Sequence, residues 1–270
     1  MASFDNRPIG VFDSGVGGLT VLKALLTALP RESTVYLGDT ARVPYGTKSA
    51  EVVTRYSLNN ADKLLEHDIK ALVVACNTAS SVALPALRAN LKVPVLGVIE
   101  PGASAAVAAS KSGHVAVIGT PGTIASGAYQ RAITALLPSA KVTAQACPLL
   151  VPLAEEGWLE GDVPRLIVER YLRPILSGID TLVLGCTHYP LLSPVLAQVA
   201  GPHVALVDSA EATARETSAL LRDLGLLADS AVRPTRRYLV TDTPTRFCEV
   251  GARFLGEPLT DAVQVDLRFR

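Results

Sequence analysis

The segments ALVVACNTASSVALPAL, residues 71–87, and TLVLGCTHYPLLSPVL, residues 181–196, decide the fold of this chain. Each has an apolar run, then Ala or Gly, then a cysteine next to Thr or Asn-Thr, and then a proline-containing stretch typical of a helix. Apolar runs without alternation are typical of strands that are buried on both faces of a parallel sheet. The distant repeat predicts two related α/β halves, with Cys76 and Cys186 in matching strand-to-helix turns.

Short apolar runs alternate with longer amphipathic segments along the whole chain. The apolar runs predict strands at Ile9–Phe12, Thr34–Leu37, Ala71–Ala75, Val93–Val98, His114–Ile118, Lys141–Ala144, Thr181–Leu184 and Ala205–Val207. The other segments predict helices at Gly18–Ala28, Ser49–Glu66, Ser81–Asn90, Ile124–Leu137, Val163–Leu176 and Ala210–Leu224. This alternation predicts an α/β protein. Polar and glycine-bearing motifs follow the strands, so we expect a ligand site at their carboxyl ends.

We expect two pseudo-symmetric parallel-sheet α/β domains that face each other across the active site. The sequence Glu100-Pro101-Gly102, directly after a predicted strand, suits a crossing between the halves. A second crossing near Asp208 would return the C-terminal helices to the first half. These crossings predict a first domain of residues 1–98 with 209–270, and a second domain of residues 99–208.

The composition argues against several classes of partner. Lys plus Arg and Asp plus Glu number 25 each, and this formal net charge of zero gives no reason to expect nucleic acid or an anionic membrane. No apolar run reaches the roughly 18 residues of a membrane span, and the N-terminus lacks a secretory pattern. We therefore expect a cytoplasmic protein with reduced thiols and no metal site, since no CxxC or zinc-type spacing joins Cys76, Cys147, Cys186 and Cys248.

The sequence also predicts that the protein works without a cofactor. The glycines of DSGVGG, residues 13–18, do not have the GxGxxG spacing of a dinucleotide site, and no Walker lysine motif is present. No lysine, Lys48 included, lies in a setting that indicates a Schiff base with pyridoxal phosphate.

The paired cysteines favour one kind of chemistry. A thiol at a helix N-terminus meets free N–H groups, so we expect a modest lowering of the thiol pKa that lets thiol and thiolate interconvert near neutrality. Hydrolysis or acyl transfer needs one nucleophilic cysteine with a base. Inversion of a stereocentre needs two groups, one to remove a proton and one to deliver a proton on the opposite face. The duplication of Cys76 and Cys186 therefore favours racemisation.

The residues near the two cysteines supply candidate partners. Asp13 follows the first predicted strand, and His188 lies two residues after Cys186. Each can therefore orient or deprotonate a nearby thiol. Neutral side chains near the cysteines can bind the ammonium and carboxylate groups of an amino acid: Ser14, Asn77, Thr78 and Thr187. The same residue types also cap helices, so either role fits them. Cys147 and Cys248 lack a comparable setting and are interpreted as structural. A one-thiol hydrolase or amidase that uses His188, and a binding module with a degenerate site, stay open at this point.

A set of motifs in a fixed order carries a family resemblance. The motifs are IGVFDSGVGGLTVL, YLGDTARVPYG, VVACNTAS, ACPLLVPLAEEG, LVLGCTHYPLL and VDSA. In this order and spacing, from Pro8 to about Phe254, the chain resembles the bacterial glutamate racemases of the aspartate/glutamate racemase superfamily. The resemblance implies interconversion of L- and D-glutamate without cofactor or metal, supply of D-glutamate for peptidoglycan, and a homodimer of two-domain α/β subunits. A racemase of another amino acid, such as aspartate, would need only a shorter pocket.

The resemblance also implies roles for individual residues. Cys76 would deprotonate D-glutamate with help from Asp13, and Cys186 would deprotonate L-glutamate with help from His188. Glu155 would be an assisting carboxylate, whereas its neighbour Glu156 would face solvent. The substrate pocket would be lined by Asp13, Ser14, Tyr45, Gly46, Asn77, Thr78, Thr187 and His188.

Overall fold

The computed structural model describes residues 4–267 of the chain. Its strands are Ile9–Asp13 (β1), Thr34–Gly38 (β2), Ala71–Val74 (β3), Val95–Gly97 (β4), His114–Gly119 (β5), Lys141–Ala146 (β6), Thr181–Gly185 (β7), Ala205–Val207 (β8), Arg236–Val240 (β9) and Ala262–Gln264 (β10). Its α-helices are Leu19–Ala28 (α1), Ala50–Leu65 (α2), Asn77–Val82 (α3), Leu84–Asn90 (α4), Ile99–Ala109 (α5), Pro121–Ser126 (α6), Ala128–Leu136 (α7), Leu150–Glu156 (α8), Asp162–Leu172 (α9), Ser193–Ala200 (α10), Ala210–Asp223 (α11) and Pro244–Leu255 (α12).

The strands form two separate parallel sheets. The first has six strands in the order β10-β9-β2-β1-β3-β4, and the second has four in the order β6-β5-β7-β8. In the first sheet Phe12 pairs with Val74, and in the second Ile118 pairs with Leu184. Two parallel-sheet α/β domains are therefore present, as the sequence predicts. The residue numbers of the boundary between them stay a prediction.

The central strands are apolar because helices cover both of their faces. Every residue of β1, β3 and β7 is buried, which explains why Val, Ile and Leu follow one another there without alternation. The edge strand β6 has instead an alternating pattern of exposed and half-buried residues in its first half. Buried central strands place their carboxyl ends, and the polar turns after them, in fixed positions.

Two strands and several helices were missed by the sequence prediction. Strand β9 begins with two exposed arginines, Arg236 and Arg237, and β10 is a short edge strand, so neither has a continuous apolar run. Helices α5, α8, α10 and α12 each include a proline, and Pro101 within α5 was interpreted as part of a crossing. The single helix expected at Ser81–Asn90 is in fact the pair α3 and α4, which begins earlier, at Asn77.

The chain passes between the sheets through two helices. Helix α5 leads from β4 of the first sheet to β5 of the second, and α11 leads from β8 back to β9. Helix α11 packs against α5 and against α1, so the two connections lie side by side. Within residues 4–267, no helix has the length and apolar character needed to cross a membrane.

Candidate active site

The last residue of β1 is a buried carboxylate, Asp13. Oδ2 of Asp13 accepts hydrogen bonds from the backbone N–H groups of Gly15 at 3.1 Å and Gly18 at 3.0 Å. Its other oxygen, Oδ1, is buried and has no hydrogen-bond partner among the described residues. A Cβ at Gly18 would lie 2.5 Å from Cβ of Asp13, so glycine lets the loop wrap closely around the carboxylate. One oxygen is thus held by the backbone, and the other is available as a hydrogen-bond acceptor.

Cys76 caps the N-terminus of α3, as the sequence predicts. The N–H of Ala79 donates to its Sγ at 3.4 Å, and the Ser14 side chain also hydrogen bonds to the thiol. The expected lowering of its pKa is wrong, because burial and the charge of Asp13 raise the pKa of Cys76 well above its ordinary value. Helix α3 is short, and the hydrogen bonds do not offset the loss of solvation. Cys76 is therefore a thiol at neutral pH.

Cys186 follows β7, but the predicted helix does not start there. A 3₁₀ helix, Tyr189–Leu192, comes first, and α10 begins only at Ser193. Pro190 and Pro194 lie at the first turns of these two helices, and proline is well tolerated there. The partner of the thiol is a side chain instead, since Sγ of Cys186 lies 3.8 Å from Nδ1 of His188.

His188 connects Cys186 to a carboxylate on α8. Nε2 of His188 lies 2.9 Å from Oε1 of Glu155, on the opposite side of the ring from Cys186. Burial lowers the pKa of His188, but the hydrogen bonds to Cys186 and Glu155 outweigh it and raise the pKa to about 10. Burial alone would raise the pKa of Glu155, but the hydrogen bond from His188 and its charge outweigh burial, so the pKa of Glu155 is lowered. The His188 ring is thus an imidazolium at neutral pH. Glu156 is exposed and pairs with Arg246.

The two remaining cysteines lie in other surroundings. Cys147 is buried, its Sγ donates to the carbonyl of Gln145 at 3.6 Å, and burial raises its pKa to about 12. Cys248 is half-buried within α12. Their structural roles stay predictions.

The two halves meet tightly at the DSGVGG loop. A Cβ at Gly17 would overlap Oγ1 of Thr187 and the ring of His188, so only glycine allows this approach. The hydroxyl of Thr20 donates to the backbone of Gly17 at 3.0 Å and lies 3.2 Å from the carbonyl of Thr187. The loop and the first turn of α1 in the first half thereby hold the turn that carries Cys186.

Three threonine hydroxyls meet across the same seam. Oγ1 of Thr78, on α3, lies 2.9 Å from Oγ1 of Thr120 and 3.2 Å from Oγ1 of Thr123, which are 3.0 Å apart. Thr120 caps α6 and lies under Gly46, where a Cβ would be 2.5 Å from Cβ of Thr120. Thr120 and Thr123 were missed by the sequence analysis. They belong to GTPGT, residues 119–123, one of the polar and glycine-bearing motifs that follow the strands, and no residue of this motif was assigned to the site.

The Tyr45 hydroxyl is not aimed at a ligand. It donates to Asp39 and accepts from Nδ2 of Asn60 at 3.0 Å. Asp39 is fully buried and also binds Nε of Arg42 at 2.7 Å. This network fixes the loop of residues 43–47 as one wall of the site, so Tyr45 and Gly46 contribute through that wall and not through the phenol. The motif GDTARVPYG held this signal, in its Asp39 and Arg42.

Asn77 presents an unused donor. Its Oδ1 accepts from the Tyr129 hydroxyl at 2.7 Å, whereas Nδ2 is buried and has no hydrogen-bond partner within the described part of the chain. A buried amide N–H without a partner costs on the order of 1–3 kcal/mol, and a ligand that accepts from it removes that cost.

One cavity brings the predicted residues together. It measures about 140 Å³ and is lined by Asp13, Ser14, Val43, Pro44, Tyr45, Gly46, Thr47, Cys76, Asn77, Thr78, Thr120, Pro121, Pro148, Val151, Pro152, Cys186, Thr187 and His188. A cavity of that order holds one benzene-sized molecule and no macromolecule. Glu155 does not line it and reaches it only through His188. Two thiols at the ends of strands in different sheets thus share one small site.

Comparison with known proteins agrees with this geometry. Residues 9–217 match the family model described as Asp/Glu/Hydantoin racemase. The chain belongs to this racemase family. The glutamate racemase of Geobacter metallireducens is 56% identical over 262 residues, which are 97% of each chain.

Solved structures of racemases have the same fold. Glutamate racemase isoform RacE1 of Bacillus anthracis superposes with a TM-score of 0.91 at 41% identity, over 97% of this chain and 98% of that chain. The Francisella tularensis glutamate racemase in complex with D-glutamate gives a TM-score of 0.91 at 38% identity, with the same coverage. The racemase family match includes both cavity thiols and Glu155, and it ends before α12.

Proposed function

We propose that this chain is a glutamate racemase in which Cys76 and Cys186 act as the two bases of a cofactor-independent reaction. The observation that carries the mechanism is that thiols from two sheets line one small cavity, each with its own charged partner. The relatives that match nearly the whole chain bear the name glutamate racemase, and they support glutamate as the substrate. As an isomerase of this kind, the enzyme supplies D-glutamate for peptidoglycan.

The charge states favour removal of a proton from L-glutamate first. The imidazolium of His188 stabilises a thiolate at Cys186. This thiolate takes the α-proton of L-glutamate, forming an S–H bond as the Cα–H bond breaks. The thiol of Cys76 gives its proton to the opposite face of the α-carbon, and its sulfur keeps the electron pair as a thiolate. D-glutamate is formed and the two cysteines have exchanged protonation states.

The reverse reaction starts from a thiolate at Cys76. Asp13 ends the neighbouring strand β1, its Oδ1 is buried without a partner among the described residues, and its charge acts on the Cys76 thiol. This oxygen therefore accepts the Cys76 proton when D-glutamate is bound. Cys186, protonated through His188, then acts as the acid.

The neutral side chains orient the amino acid. Nδ2 of Asn77 donates to a substrate carboxylate, which satisfies a buried N–H. The hydroxyls of Ser14, Thr78 and Thr187 line the same cavity and bind the ammonium or a carboxylate. Residues 43–47 form one wall of the same cavity.

Three wider proposals accompany the reaction. The enzyme works in the cytoplasm as a homodimer, and it needs neither metal nor organic cofactor because thiols perform both proton transfers. Residues 1–98 with 209–270, and residues 99–208, act as the two bodies that enclose the substrate. The separate sheets and the two connecting helices support this division.

A hydrolase that uses Cys186 with His188 and Glu155 is the strongest rival from another class. Such a mechanism leaves Cys76 and Asp13 in the same cavity without a task, and the related proteins do not favour it.

Proton NMR in D₂O separates these functions. Purified enzyme, dialysed exhaustively against EDTA, is incubated with L-glutamate, L-aspartate or L-glutamine. With L-glutamate alone, we expect the α-proton signal to disappear, because the delivering thiol exchanges its proton with solvent deuterium. Polarimetry of the same sample should show loss of optical rotation, because the product is a racemate. Rotation lost with aspartate would favour an aspartate racemase, and ammonia from glutamine would favour the hydrolase. Activity that returns only with metal or pyridoxal phosphate would contradict the cofactor-independent mechanism.

A further inference from the structure

Helix α12 reaches the Cys186 side of the site from the opposite half of the molecule. It packs against α1 and β10 of the first half. Its C-terminal turn carries Arg253, whose Nη1 donates to the backbone carbonyl of Glu155 at 2.7 Å. The next residue, Phe254, lies edge-on to the His188 ring, with ring centroids 5.1 Å apart and planes at 76°. Neighbouring residues of one helix thus contact both members of the His188–Glu155 pair.

The contact made by Arg253 depends on how α8 ends. Helix α8 terminates at Gly157, which has a left-handed backbone with φ of 75°. A Cβ at this position would lie 2.8 Å from Nη1 of Arg253, so glycine leaves room for the guanidinium against the helix end. The last carbonyls of a helix have no partner within the helix, and a cation there also interacts favourably with the helix dipole. Arg253 therefore fixes the segment from which the Glu155 side chain projects.

Phe254 fixes the other member of the pair. Its side chain is 2% exposed and occupies the space behind His188, whose own ring is in contact with the DSGVGG loop on the Gly17 side. An imidazole held by Gly17 and Phe254 has little freedom to turn away from Cys186 or Glu155.

We propose that Arg253 and Phe254 are positioning residues, which hold the His188–Glu155 pair from across the seam and thereby set the rate of proton transfer at Cys186. This inference rests on the proposed racemase function. Neither residue lines the cavity, so both act through His188 and not on the substrate.

Through the His188–Glu155 pair, α12 also affects how the reaction rate depends on pH. The charged and titratable groups that face the pair are Cys186 from the turn after β7 and Arg246 and Arg253 from α12. The loop on the α1 side presents the backbone of Gly17. A Glu155 carboxylate that drifts from His188 stabilises the imidazolium less, so the pKa of His188 falls.

Isotope effects distinguish positioning from a general loss of structure. We compare Arg253→Ala and Phe254→Leu with Arg236→Ala, which removes an arginine from an exposed pair with Glu257. We measure the isotope effect on kcat/KM with each enantiomer deuterated at the α-carbon. Relative to the wild-type enzyme, we expect this effect to be larger in the variants when L-glutamate is the substrate, and to approach one when D-glutamate is the substrate. The reason is that the Cys186 step becomes the slower of the two transfers in both directions.

Two further readouts accompany the isotope effects. Because the two enantiomers have equal free energy, kcat/KM should fall equally in both directions, by about 10- to 100-fold as for a misplaced catalytic group. The alkaline limb of the rate profile should move to lower pH. Arg253→Lys, which keeps a cation at the end of α8, should recover most of the loss.

The outcomes are separable. Racemisation by the wild-type enzyme, together with unchanged isotope effects in folded Arg253→Ala and Phe254→Leu, would overturn the positioning role alone. A wild-type enzyme that does not racemise glutamate would overturn the proposed function and this inference with it. Thermal unfolding of each variant shows which variants are folded. If Arg253→Ala does not fold, the isotope effects are measured on Arg253→Lys.

Discussion

The turns after β3 and β7 each present one thiol to the cavity, and they support that thiol differently. Cys76 caps a short helix beside the Asp13 carboxylate, and its pKa is raised by burial and by that negative charge. Cys186 has no α-helix directly after it and lies beside the imidazolium of His188, which Glu155 holds from behind. One thiol thus has an anionic neighbour and the other a cationic one.

This difference shows that the two halves resemble each other in fold but not in electrostatics. A carboxylate favours the protonated form of the nearby thiol, and an imidazolium favours the thiolate. In the proposed reaction the enzyme therefore begins with an acid on one wall and a base on the other. Two identical surroundings would leave both thiols protonated or both ionised, and neither state transfers a proton in and another out.

Removing either thiol is the strongest way to test the comparison. Cys76→Ala and Cys186→Ala should each lower racemisation in both directions by at least ~10²-fold, the smaller end of the contribution of a general acid or base. Polarimetry with each enantiomer measures this loss.

The matched control is Cys248→Ala, a half-buried cysteine on α12 that does not line the cavity. It should keep its rate and change stability only slightly. Near wild-type racemisation by a folded Cys76→Ala or Cys186→Ala enzyme would exclude the two-base mechanism.

A smaller loss of activity should follow from disturbing the close contact between the halves at the DSGVGG loop. Gly17→Ala forces a Cβ into Thr187 and His188, so we expect a loss of ~1–3 kcal/mol in the free energy of unfolding, together with slower turnover. Gly15→Ala is the control, because its Cβ would lie 3.6 Å from Val43, an ordinary contact. Chemical denaturation and initial rates measure both. If Gly17→Ala and Gly15→Ala have the same free energy of unfolding and the same initial rate, the close approach at Gly17 contributes to neither stability nor turnover.

The sequence predicted the elements whose physics is local. The buried strands β1, β3 and β7 have apolar runs, and Asp13, Cys76 and Cys186 lie at or just after their carboxyl ends. The carboxyl ends of β1 and β3 meet at one edge of the first sheet, so Asp13 and Cys76 were expected together. The repeat that contains Cys186 predicted a matching turn that faces them from the second half.

What the sequence missed depends on contacts between distant segments. Neither Phe254 nor Arg253 belongs to a polar motif at a strand end, and their roles arise because α12 packs across the seam. The raised pKa of Cys76 was missed because helix propensity and spacing do not report burial. The helix expected after Cys186 was displaced towards Ser193 by the prolines of HYPLLSP.

The subtlest test concerns the carboxylate behind His188. Glu155→Gln removes a negative charge that raises the pKa of His188, so the imidazolium is lost at a lower pH than in the wild-type enzyme. We therefore expect the alkaline limb of kcat to move to lower pH. At neutral pH the loss should stay below the ~10²-fold of a missing acid or base, since His188 itself remains. Rates from pH 6 upward measure the limb.

Glu156→Gln is the control for that variant. This neighbour is exposed and pairs with Arg246, so its removal should leave the limb in place. An unmoved limb in Glu155→Gln would show that the carboxylate does not tune His188.

The meeting of Thr78, Thr120 and Thr123 bears on how often the enzyme can open. Each hydroxyl both donates and accepts, so three of them close a ring of hydrogen bonds, and water replaces each bond when the halves part. The net free energy of such a bond is only about 0.5–1.5 kcal/mol, far less than that of a sizeable apolar contact. Bonds of this kind therefore join Thr78 of the first half to Thr120 and Thr123 of the second without adding a large barrier to separation of the halves.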